Sequence, residues 1–382
     1  MSRGKKRILH LIESEGIYGA ERVIINLSQQ MQYSENYSPV IGCIVAQKNN
    51  PSALYDAAQS LGIEAIKIPI GNARLLSDLP AAAKQLKTAN IDLIHSHGYK
   101  PSVFGFIIFL LKKIPIIATC HLWFDPSKGP LKMRAMIALE KLFYRWFPKV
   151  IAVSEPIKSI LLASNLRPDQ VDLVRNGVDI PDLTQLTQET QQLRADLQIT
   201  NTDFCVLNSA RLSRQKAQWT LVKAAALLKQ QGHTVRILIV GEGTLLEELR
   251  TQIESENVAD CVQLLGFRTD VNKLLALCDA FALPSIDEGM PMSLLEAAAM
   301  AKPIITTKVG DIGKLIEHNI TGLVIPTEDP SALAQAILQL KSDASSAQKL
   351  AQKAHERMAE NYSSQSMSNR YLAIYEKLFS TI

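Results

Sequence analysis

The sequence predicts two successive Rossmann-like α/β domains, each built on a parallel sheet with helices on both faces. Its 382 residues are too many for one typical hydrophobic core and suit two domains of roughly 150–200 residues each. Hydrophobic residues make up 47% and charged residues 20% of the chain, as in an ordinary globular protein. Short apolar runs alternate with helix-like segments almost throughout, and this β-α rhythm is typical of parallel sheets.

The first half of the chain contains seven apolar runs that we predict to be strands, at residues 7–12, 39–46, 65–68, 93–96, 115–119, 150–153 and 171–174. Helical periodicity separates most of these runs, for example at 20–31, 51–61 and 131–147. The second half contains six more predicted strands, at 204–210, 235–240, 262–265, 280–283, 303–306 and 322–324. Two sets of elements with the same rhythm therefore follow one another.

The domain boundary is expected near residue 180, because a polar stretch rich in Gln and Thr follows it. This stretch, 182–203, predicts a linker with one short helix. We therefore expect an N-terminal domain over residues 1–180 and a C-terminal domain over residues 181–360. The tail, 361–382, is predicted to be an amphipathic helix because its apolar residues recur at helical spacing.

Charge and cysteine usage limit the partners and the compartment. Residues 1–180 carry 22 basic and 14 acidic side chains, a net charge of +8, and the remaining residues carry −4. A basic half favours an anionic partner such as a lipid surface, a phosphorylated acceptor or nucleic acid. The five cysteines are widely spaced without a C-x-x-C pair, which favours buried thiols in a cytosolic protein. No signal peptide or apolar run of membrane-spanning length is expected.

The richest segment for chemistry follows the predicted strand at 280–283. Glu288 lies in a Gly-containing turn, and Glu296 follows in the next helix after seven intervening residues. Pro291 suits the first position of that helix, and we place Glu296 about two turns into it. A turn that leads from a parallel strand into a helix is where α/β sheets bind ligands. Two carboxylates there can accept hydrogen bonds from sugar hydroxyls, although an isolated pair of this kind is more often solvated.

Residues 288–299 resemble the E-x7-E signature of retaining nucleotide-sugar glycosyltransferases with the GT-B fold, in particular glycosyltransferase family 4. The resemblance extends over roughly residues 8–325. It implies two Rossmann-like domains facing a cleft, with an acceptor domain first and a nucleotide-sugar domain second, and a final helix that crosses back to the first domain. In this family Glu288 would hold the donor sugar or stabilise charge at its anomeric carbon, and Glu296 would hold the ribose.

Three residues in the signature turn, Gly289, Met290 and Pro291, are also expected to bind the donor by this resemblance. Lys314 stands where relatives often have an acidic residue. Because of this difference, the resemblance does not settle the specificity or the local geometry near the nucleotide.

Arg211 and Lys216 follow the first strand of the second domain. An arbitrary pair of cations is usually solvated, but residues 210–217 resemble the family motif G-R-L-x-x-x-K-G, which binds the donor diphosphate. Two fixed cations would stabilise the charge of the departing diphosphate. Alanine replaces glycine at both ends of the motif, at Ala210 and Ala217.

Gly241 and Gly243 close the next strand. The third glycine of a G-x-G-x-x-G fingerprint is absent, which disfavours a nicotinamide dehydrogenase. The turn resembles the family's G-x-G-P segment beside the nucleotide. Phe267 and Arg268 resemble the loop that contacts the base, although Phe267 could instead belong to the core.

Gly19 lies in a segment that resembles the G-G-A-E-R turn near the donor phosphates and the acceptor, with Tyr18 where many relatives have glycine. His121 resembles the T-x-H histidine that touches the donor sugar, and a local polar contact is the alternative. His95 and His97 face the same side of a strand. A zinc pair is conceivable, but no third ligand stands nearby in sequence and a structural role is favoured.

This resemblance implies a retaining glycosyltransferase that moves a sugar from a UDP- or GDP-sugar to a hydroxyl of a glycan or lipid-linked acceptor, in bacterial polysaccharide, lipopolysaccharide or glycolipid synthesis. The resemblance implies front-face attack without a metal or other cofactor. No nucleic-acid partner is expected. The alternatives are a GT-B sugar-nucleotide epimerase, a phosphorylase, or a non-catalytic partner protein.

The stretch 104–111 is apolar and is followed by Lys112 and Lys113, and the stretch 131–149 mixes apolar with basic residues. Basic amphipathic helices can lie in a lipid headgroup region. Helices that simply cover the sheet are the alternative. We therefore expect a cytoplasmic protein, with a possible peripheral contact to the inner face of the cell membrane through its N-terminal domain.

Overall fold

The computed structural model describes residues 4–14, 16–17, 19–71, 75–121, 131–181, 183–200 and 202–381. The chain divides into two compact units: Met1–Gly177 with Ser364–Ile382, and Val178–Ser363. The sequence placed the two boundaries after residues 180 and 360. The observed divisions lie three residues from each of them.

The first unit contains a sheet of seven strands: β1 (Lys6–Glu13), β2 (Tyr37–Val45), β3 (Ala65–Pro69), β4 (Leu93–His97), β5 (Ile116–Cys120), β6 (Val150–Ala152) and β7 (Val171–Leu173). Its helices in the first half of the chain are α1 (Gly19–Gln32), α2 (Ala53–Ser60), α3 (Leu75–Thr88), α4 (Tyr99–Lys112), α5 (Leu131–Tyr144) and α6 (Glu155–Ala163). The strand order is β3-β2-β1-β4-β5-β6-β7, and neighbouring strands pair in parallel.

The second unit contains a sheet of six strands: β8 (Phe204–Ser209), β9 (Val235–Val240), β10 (Val262–Gly266), β11 (Ala280–Leu283), β12 (Ile304–Thr307) and β13 (Leu323–Ile325). Its helices are α7 (Leu183–Asp196), α8 (Trp219–Gln230), α9 (Leu246–Ser255), α10 (Val271–Leu277), α11 (Met292–Ala299), α12 (Ile312–Leu315), α13 (Pro330–Ser342) and α14 (Ala344–Tyr362). The strand order is β10-β9-β8-β11-β12-β13, again all parallel.

Both sheets are buried on two faces, as their near-continuous apolar strands require. In β8, Cys205 and Leu207 belong to one apolar cluster and Val206 belongs to another. Val40 and Ile41 of β2 divide in the same way between two clusters of the first unit. This alternation follows from the two-residue period of a strand, and it places helices on both sides of each sheet.

All thirteen predicted strands are present, with ends within two residues of the predicted ones. Two helix predictions were wrong in length. The polar stretch after residue 181 contains a 14-residue helix, α7, rather than a short one. Helix α5 ends at Tyr144 rather than at residue 147. No helix in the part of the chain that the structure describes combines the length and the apolarity needed to cross a membrane.

The last helix, α15 (Ser364–Thr381), belongs to the first unit. Its apolar stripe is buried there, and Tyr371 and Tyr375 are fully enclosed. Tyr375 packs edge-on against Tyr37 of β2, with ring centroids 5.8 Å apart. Gln30 of α1 donates a hydrogen bond to the Ser364 hydroxyl at 3.3 Å. The first unit is therefore completed by a segment from the far end of the chain.

Candidate active site

The strand order of the second unit reverses between β8 and β11. Ligands of open α/β sheets bind beyond the carboxyl ends of the strands at such a switch point. The loop after β8 carries Arg211 and Lys216, and the loop after β11 carries Glu288. Because β8 and β11 are neighbours in the sheet, the topology brings these two loops together at this edge.

Lys216 and Glu288 form an ion pair between the two loops. The Lys216 Nζ lies 2.5 Å from Oε1 of Glu288, and the Ser285 hydroxyl donates to the same oxygen at 2.7 Å. Glu288 is only 8% exposed, whereas Lys216 remains partly accessible. Burying a carboxylate is costly unless it is paired and hydrogen-bonded. The contact therefore explains how a charged Glu288 can lie in this position.

Backbone contacts fix the two loops to each other. The Ile286 N–H donates to the Gln215 carbonyl, and the Gln215 side chain donates to the Asp287 carbonyl, both at 2.8 Å. Gln215 and Lys216 lie in a single 3₁₀ turn. Ala217 follows this turn in the left-handed conformation, with φ of 50°. This conformation accounts for the glycine that relatives carry there, because it costs an alanine roughly 1–2 kcal/mol.

A glycine turn joins the loop after β9 to the loop after β8. Gly241 has φ of 135°, and a Cβ on it would lie 2.0 Å from the Ala210 carbonyl oxygen. The Leu212 N–H donates to the Glu242 carbonyl at 2.9 Å. A Cβ on Gly243 would lie 2.1 Å from the Leu212 carbonyl oxygen. Both glycines are thus required by close backbone packing, independently of any ligand.

The loop after β12 supports the signature turn from the other side. Gly310 has φ of 54°, and a Cβ there would lie 1.9 Å from the Glu288 carbonyl oxygen. The Asp311 N–H donates to the Gly289 carbonyl at 3.0 Å. The buried Asp311 carboxylate pairs with Lys314 at 3.1 Å. Lys314, which departs from the family pattern, therefore neutralises a carboxylate that lies directly beneath the turn.

The helix after the signature turn begins near Met292, as the sequence predicts, but Pro291 lies before its first helical position. Pro291 has extended backbone angles and is the N-cap residue, and α11 begins at Met292. Glu296 consequently lies about one turn into the helix rather than two, since 3.6 residues make a turn. The side chains of Met290 and Pro291 are buried, and Met290 belongs to an apolar core cluster. Any contact of these two residues with a ligand would have to come from their backbone.

The loop after β10 presents Phe267 outward, with 59% of its surface exposed. Assignment of Phe267 to the core is therefore wrong. Arg268 donates to both carboxylate oxygens of Asp270, at 2.8 and 2.5 Å. These hydrogen bonds hold the pKa of Asp270 below its usual range and raise that of Arg268. Arg268 is thus held by an acidic residue two positions further along the chain.

The strand order of the first unit reverses between β1 and β4. The loop after β1 leads into α1, which begins at the exposed Gly19. Tyr18 lies outside the described residues. This loop therefore emerges at the corresponding switch point of the first sheet.

His121, directly after β5, belongs to a cluster of four histidines. Its Nε2 lies 2.9 Å from Nδ1 of His97, and the His97 Nε2 lies 3.2 Å from Nδ1 of His10. His95 contacts the Tyr375 hydroxyl at 2.8 Å and the Thr119 hydroxyl at 2.7 Å. The sequence does not reveal His10 as a member of this cluster, because His10 lies 85 residues before His95. The pairing of β1 with β4 places His10 directly beside His95.

Burial keeps these four histidines neutral over a wide pH range. Desolvation lowers the pKa of His10 to about 3 and that of His121 to about 4. The pKa values of His95 and His97 are also well below the usual value, first because of burial and then because of the neighbouring histidines. Ligating nitrogens of His10, His95 and His97 lie within 4.8 Å of one another. The third member that a zinc site would need is therefore present after all.

Two models of enzyme families match the two halves of the chain. Residues 17–181 match the model of Glycosyltransferase Family 4, and residues 189–357 match that of Glycosyl transferases group 1. This chain is a family 4 glycosyltransferase. Membership establishes an enzyme of the hexosyltransferase type.

Relatives of the glycosyltransferase include the amylovoran biosynthesis glycosyltransferase AmsK of Erwinia amylovora, which is 32% identical over 51% of this chain and 49% of its own length. The UDP-Gal:alpha-D-GlcNAc-diphosphoundecaprenol alpha-1,3-galactosyltransferase of Escherichia coli is 23% identical over 90% of this chain and 89% of its own. Anabaena HepE in complex with UDP-glucose superposes with a TM-score of 0.82 at 23% identity, covering 98% of this chain and 99% of HepE. Such likeness confirms the GT-B fold.

Proposed function

We propose that this glycosyltransferase moves a sugar from a nucleotide-sugar donor, most simply a UDP-sugar, to a hydroxyl of a lipid-linked glycan in bacterial polysaccharide or glycolipid synthesis. The observation that carries the proposal is the Lys216–Glu288 pair at the switch point of the second sheet. A named relative uses a UDP-sugar and a diphosphoundecaprenol-linked acceptor, and a structural neighbour is described with UDP-glucose. These support the choice of donor and acceptor class.

In this proposal Lys216 and Arg211 hold the donor diphosphate. The Lys216 ammonium has three N–H groups, so it can keep its contact with Glu288 while donating to a phosphate oxygen. As the bond between the sugar C1 and the phosphate oxygen breaks, negative charge grows on the diphosphate. A fixed cation stabilises that charge more in the transition state than in the ground state. The positive ends of nearby helices can add to this effect.

Glu288 is proposed to face the donor sugar and Glu296 the ribose. The Glu288 carboxylate would offset positive charge that develops at C1, and its contacts with Lys216 and Ser285 fix its orientation. Gly19, Gly241, Gly243, Phe267, Arg268 and the backbone of residues 289–291 would complete the donor contacts. The side chain of Phe267 is exposed and available for stacking on a base.

Transfer is proposed to retain the anomeric configuration without a metal cofactor. The acceptor hydroxyl would attack C1 on the face from which the diphosphate departs. The new C1–O bond forms as the old one breaks, and the departing phosphate oxygen takes the hydroxyl proton. No carboxylate nucleophile is needed in this sequence, and the cationic side chains supply the charge that a divalent ion supplies in other transferases.

The test is transfer of sugar from UDP- and GDP-sugars to a diphosphate-linked lipid carrying one sugar residue, with and without EDTA. We expect transfer from one nucleotide family, insensitive to EDTA, with a product of unchanged anomeric configuration by proton NMR. Acceptor-independent conversion of the donor, or phosphate-dependent cleavage, would instead identify an epimerase or a phosphorylase. Inversion in the product would refute the front-face mechanism.

We also propose a peripheral contact with the inner face of the cell membrane. Leu110 and Leu111 at the end of α4 are 62% and 58% exposed, and Trp146 after α5 is 67% exposed. Exposed basic residues accompany them, among them Lys112, Lys113 and Arg145. Phe106 of α4 stacks on Phe143 of α5 at 4.9 Å, so the two helices pack together. Apolar and basic side chains on paired helices suit an anionic lipid surface.

Flotation with vesicles tests this contact. The enzyme should bind vesicles that contain anionic lipid and should bind purely zwitterionic ones less. Trp146→Ser should weaken binding, whereas Tyr33→Ser, at an exposed aromatic residue elsewhere in the same unit, should not. Equal binding of the two variants to the vesicles would contradict the proposed membrane contact.

A further inference from the structure

The histidines behind His121 form a directed chain of hydrogen bonds. The chain runs from His10 through His97 to His121, with nitrogen to nitrogen distances of 3.2 and 2.9 Å. His10 lies on β1 and His97 on β4. The rings of His97 and His121 stack with centroids 5.2 Å apart. Three imidazoles from different parts of the sequence are therefore held in one fixed order.

A neutral imidazole has one N–H and one lone pair. In a chain of neutral rings each hydrogen bond needs one N–H donor and one acceptor lone pair. The proton position on one ring therefore fixes the proton positions on the others. Burial holds the pKa of all three rings below neutral pH. The chain has only two arrangements, with all protons directed toward His121 or all directed toward His10.

The buried end of the hydrogen-bond chain, at His10, selects between these two proton arrangements. Nε2 of His10 is buried and has no hydrogen-bond partner among the described residues. A proton there would be a buried N–H without an acceptor, and such orphaned donors are rarer in proteins than under-satisfied acceptors. The lone pair therefore lies on the His10 Nε2 and the proton on its Nδ1. His97 then donates from Nδ1 to the Nε2 of His121.

We infer that His10 and His97 are positioning residues that fix the tautomer of His121, so that His121 presents a protonated Nδ1 as a hydrogen-bond donor to an oxygen of the bound substrate. In this arrangement His121 is a donor and not a general base. The part of the inference that concerns the substrate depends on the proposed function, in which His121 touches the donor sugar. The tautomer itself does not.

A second layer holds His97 in place. The His95 ring lies against that of His97 with centroids 4.3 Å apart, and both nitrogens of His95 are bonded, to the hydroxyls of Tyr375 and Thr119. Thr119 in turn contacts the Tyr371 hydroxyl at 3.1 Å. Because every ring nitrogen of His95 and His97 has a partner, a metal ion bound by these residues would have to displace hydrogen bonds. The geometry favours the hydrogen-bonded chain over a trihistidine metal site.

The test is a long-range proton–nitrogen NMR spectrum of the full-length enzyme with ¹⁵N-labelled histidine. We expect His121 to show a protonated Nδ1 and an unprotonated Nε2 in the absence of any substrate. His97→Leu should convert His121 to the other tautomer or to a mixture. His97→Asn, whose amide N–H can replace the Nδ1 donor, should preserve it. His233→Gln, at an exposed histidine, is the control and assigns its own signals.

Transfer activity gives a second readout. His97→Leu should lower kcat/KM roughly tenfold, the effect expected when about one hydrogen bond to the transition state is lost, while His97→Asn should recover most of it. An Nε2–H tautomer in the wild-type enzyme, or no change in His97→Leu, would overturn the inference. So would one equivalent of zinc that copurifies and shifts the His10, His95 and His97 signals. If no sugar were transferred from any donor, the proposed function would fail, and the spectrum would still decide the tautomer.

Discussion

Several residues in the second unit are required for the packing of its loops, independently of any ligand. Gly310 shows this most clearly, because its position against the Glu288 carbonyl leaves no space for a Cβ. The signature turn is held by Gln215 on one side and by Asp311 on the other. The position of Glu288 therefore depends on two neighbouring loops as well as on its own.

Gly310→Ala should destabilise the enzyme and lower transfer activity. The methyl group would meet the Glu288 carbonyl oxygen at 1.9 Å, so the turn that carries Glu288 must move. The matched control is Gly232→Ala, because Gly232 also has positive φ but open space around it. The control should cost only about 1–2 kcal/mol of backbone strain. Thermal unfolding and initial rates measure both effects, and equal loss in the two variants would show that the contact with Glu288 is unimportant.

Among the elements, α15 has the clearest structural task. It supplies the Tyr375 hydroxyl to His95 and the Tyr371 hydroxyl to Thr119 within the core of the first unit. The last residues of the chain thus support the histidine cluster near the carboxyl ends of β4 and β5.

Tyr375→Phe should destabilise the first unit by about 1–3 kcal/mol, the usual cost of leaving a buried polar group without its partner. The ring packing against Tyr37 is kept in this variant, so the change isolates the hydroxyl. Tyr33→Phe, at a position that is 85% exposed, should change stability by less than about 0.5 kcal/mol. Denaturant unfolding measures the difference, and equal stability of the two variants would contradict the assignment.

The elements were largely predictable from the sequence, because buried parallel strands are short apolar runs with clear ends. The loops of the site were predictable only through the resemblance to a known family. The local signals of Glu288 and Lys216 are those of ordinary surface residues, and their contact depends on the adjacency of β8 and β11. Strand adjacency also explains why the sequence does not reveal His10 as a member of the histidine cluster. His10 becomes the neighbour of His95 only when β1 pairs with β4.

For the whole molecule, the buried histidines predict acid sensitivity. Their pKa values are lowered in the folded state, to about 3 for His10 and about 4 for His121, whereas the unfolded values are close to 6.5. Below pH 6.5 the unfolded chain binds protons that the folded enzyme does not, so stability falls as the pH falls. The free energy of unfolding should have its full value above pH 6.5. Below that pH it should fall by about 1.4 kcal/mol per pH unit for each histidine, down to the folded pKa of that histidine.

Unfolding midpoints between pH 8 and pH 4.5 measure this slope. His97→Leu should flatten it by about one proton, because one titrating group is removed. His233→Ala, at an exposed histidine, is the matched control. A slope that is the same in all three proteins would mean that His97 is not buried in the neutral form.

The loops after β8 and β11 are proposed to bind a nucleotide diphosphate through Lys216. The most direct measurement is a thermal-shift panel of UDP, GDP, ADP and CDP with their sugar conjugates, with and without EDTA, on the wild-type enzyme, Lys216→Ala and Arg214→Ala. A ligand that binds the folded state raises Tm by mass action. We predict selective stabilisation by one nucleotide family, insensitive to EDTA, that is lost or strongly reduced in Lys216→Ala and kept in Arg214→Ala, where an exposed cation of the same turn is removed. Stabilisation by none of the nucleotides, or equal stabilisation of the wild-type enzyme and Lys216→Ala, would contradict it.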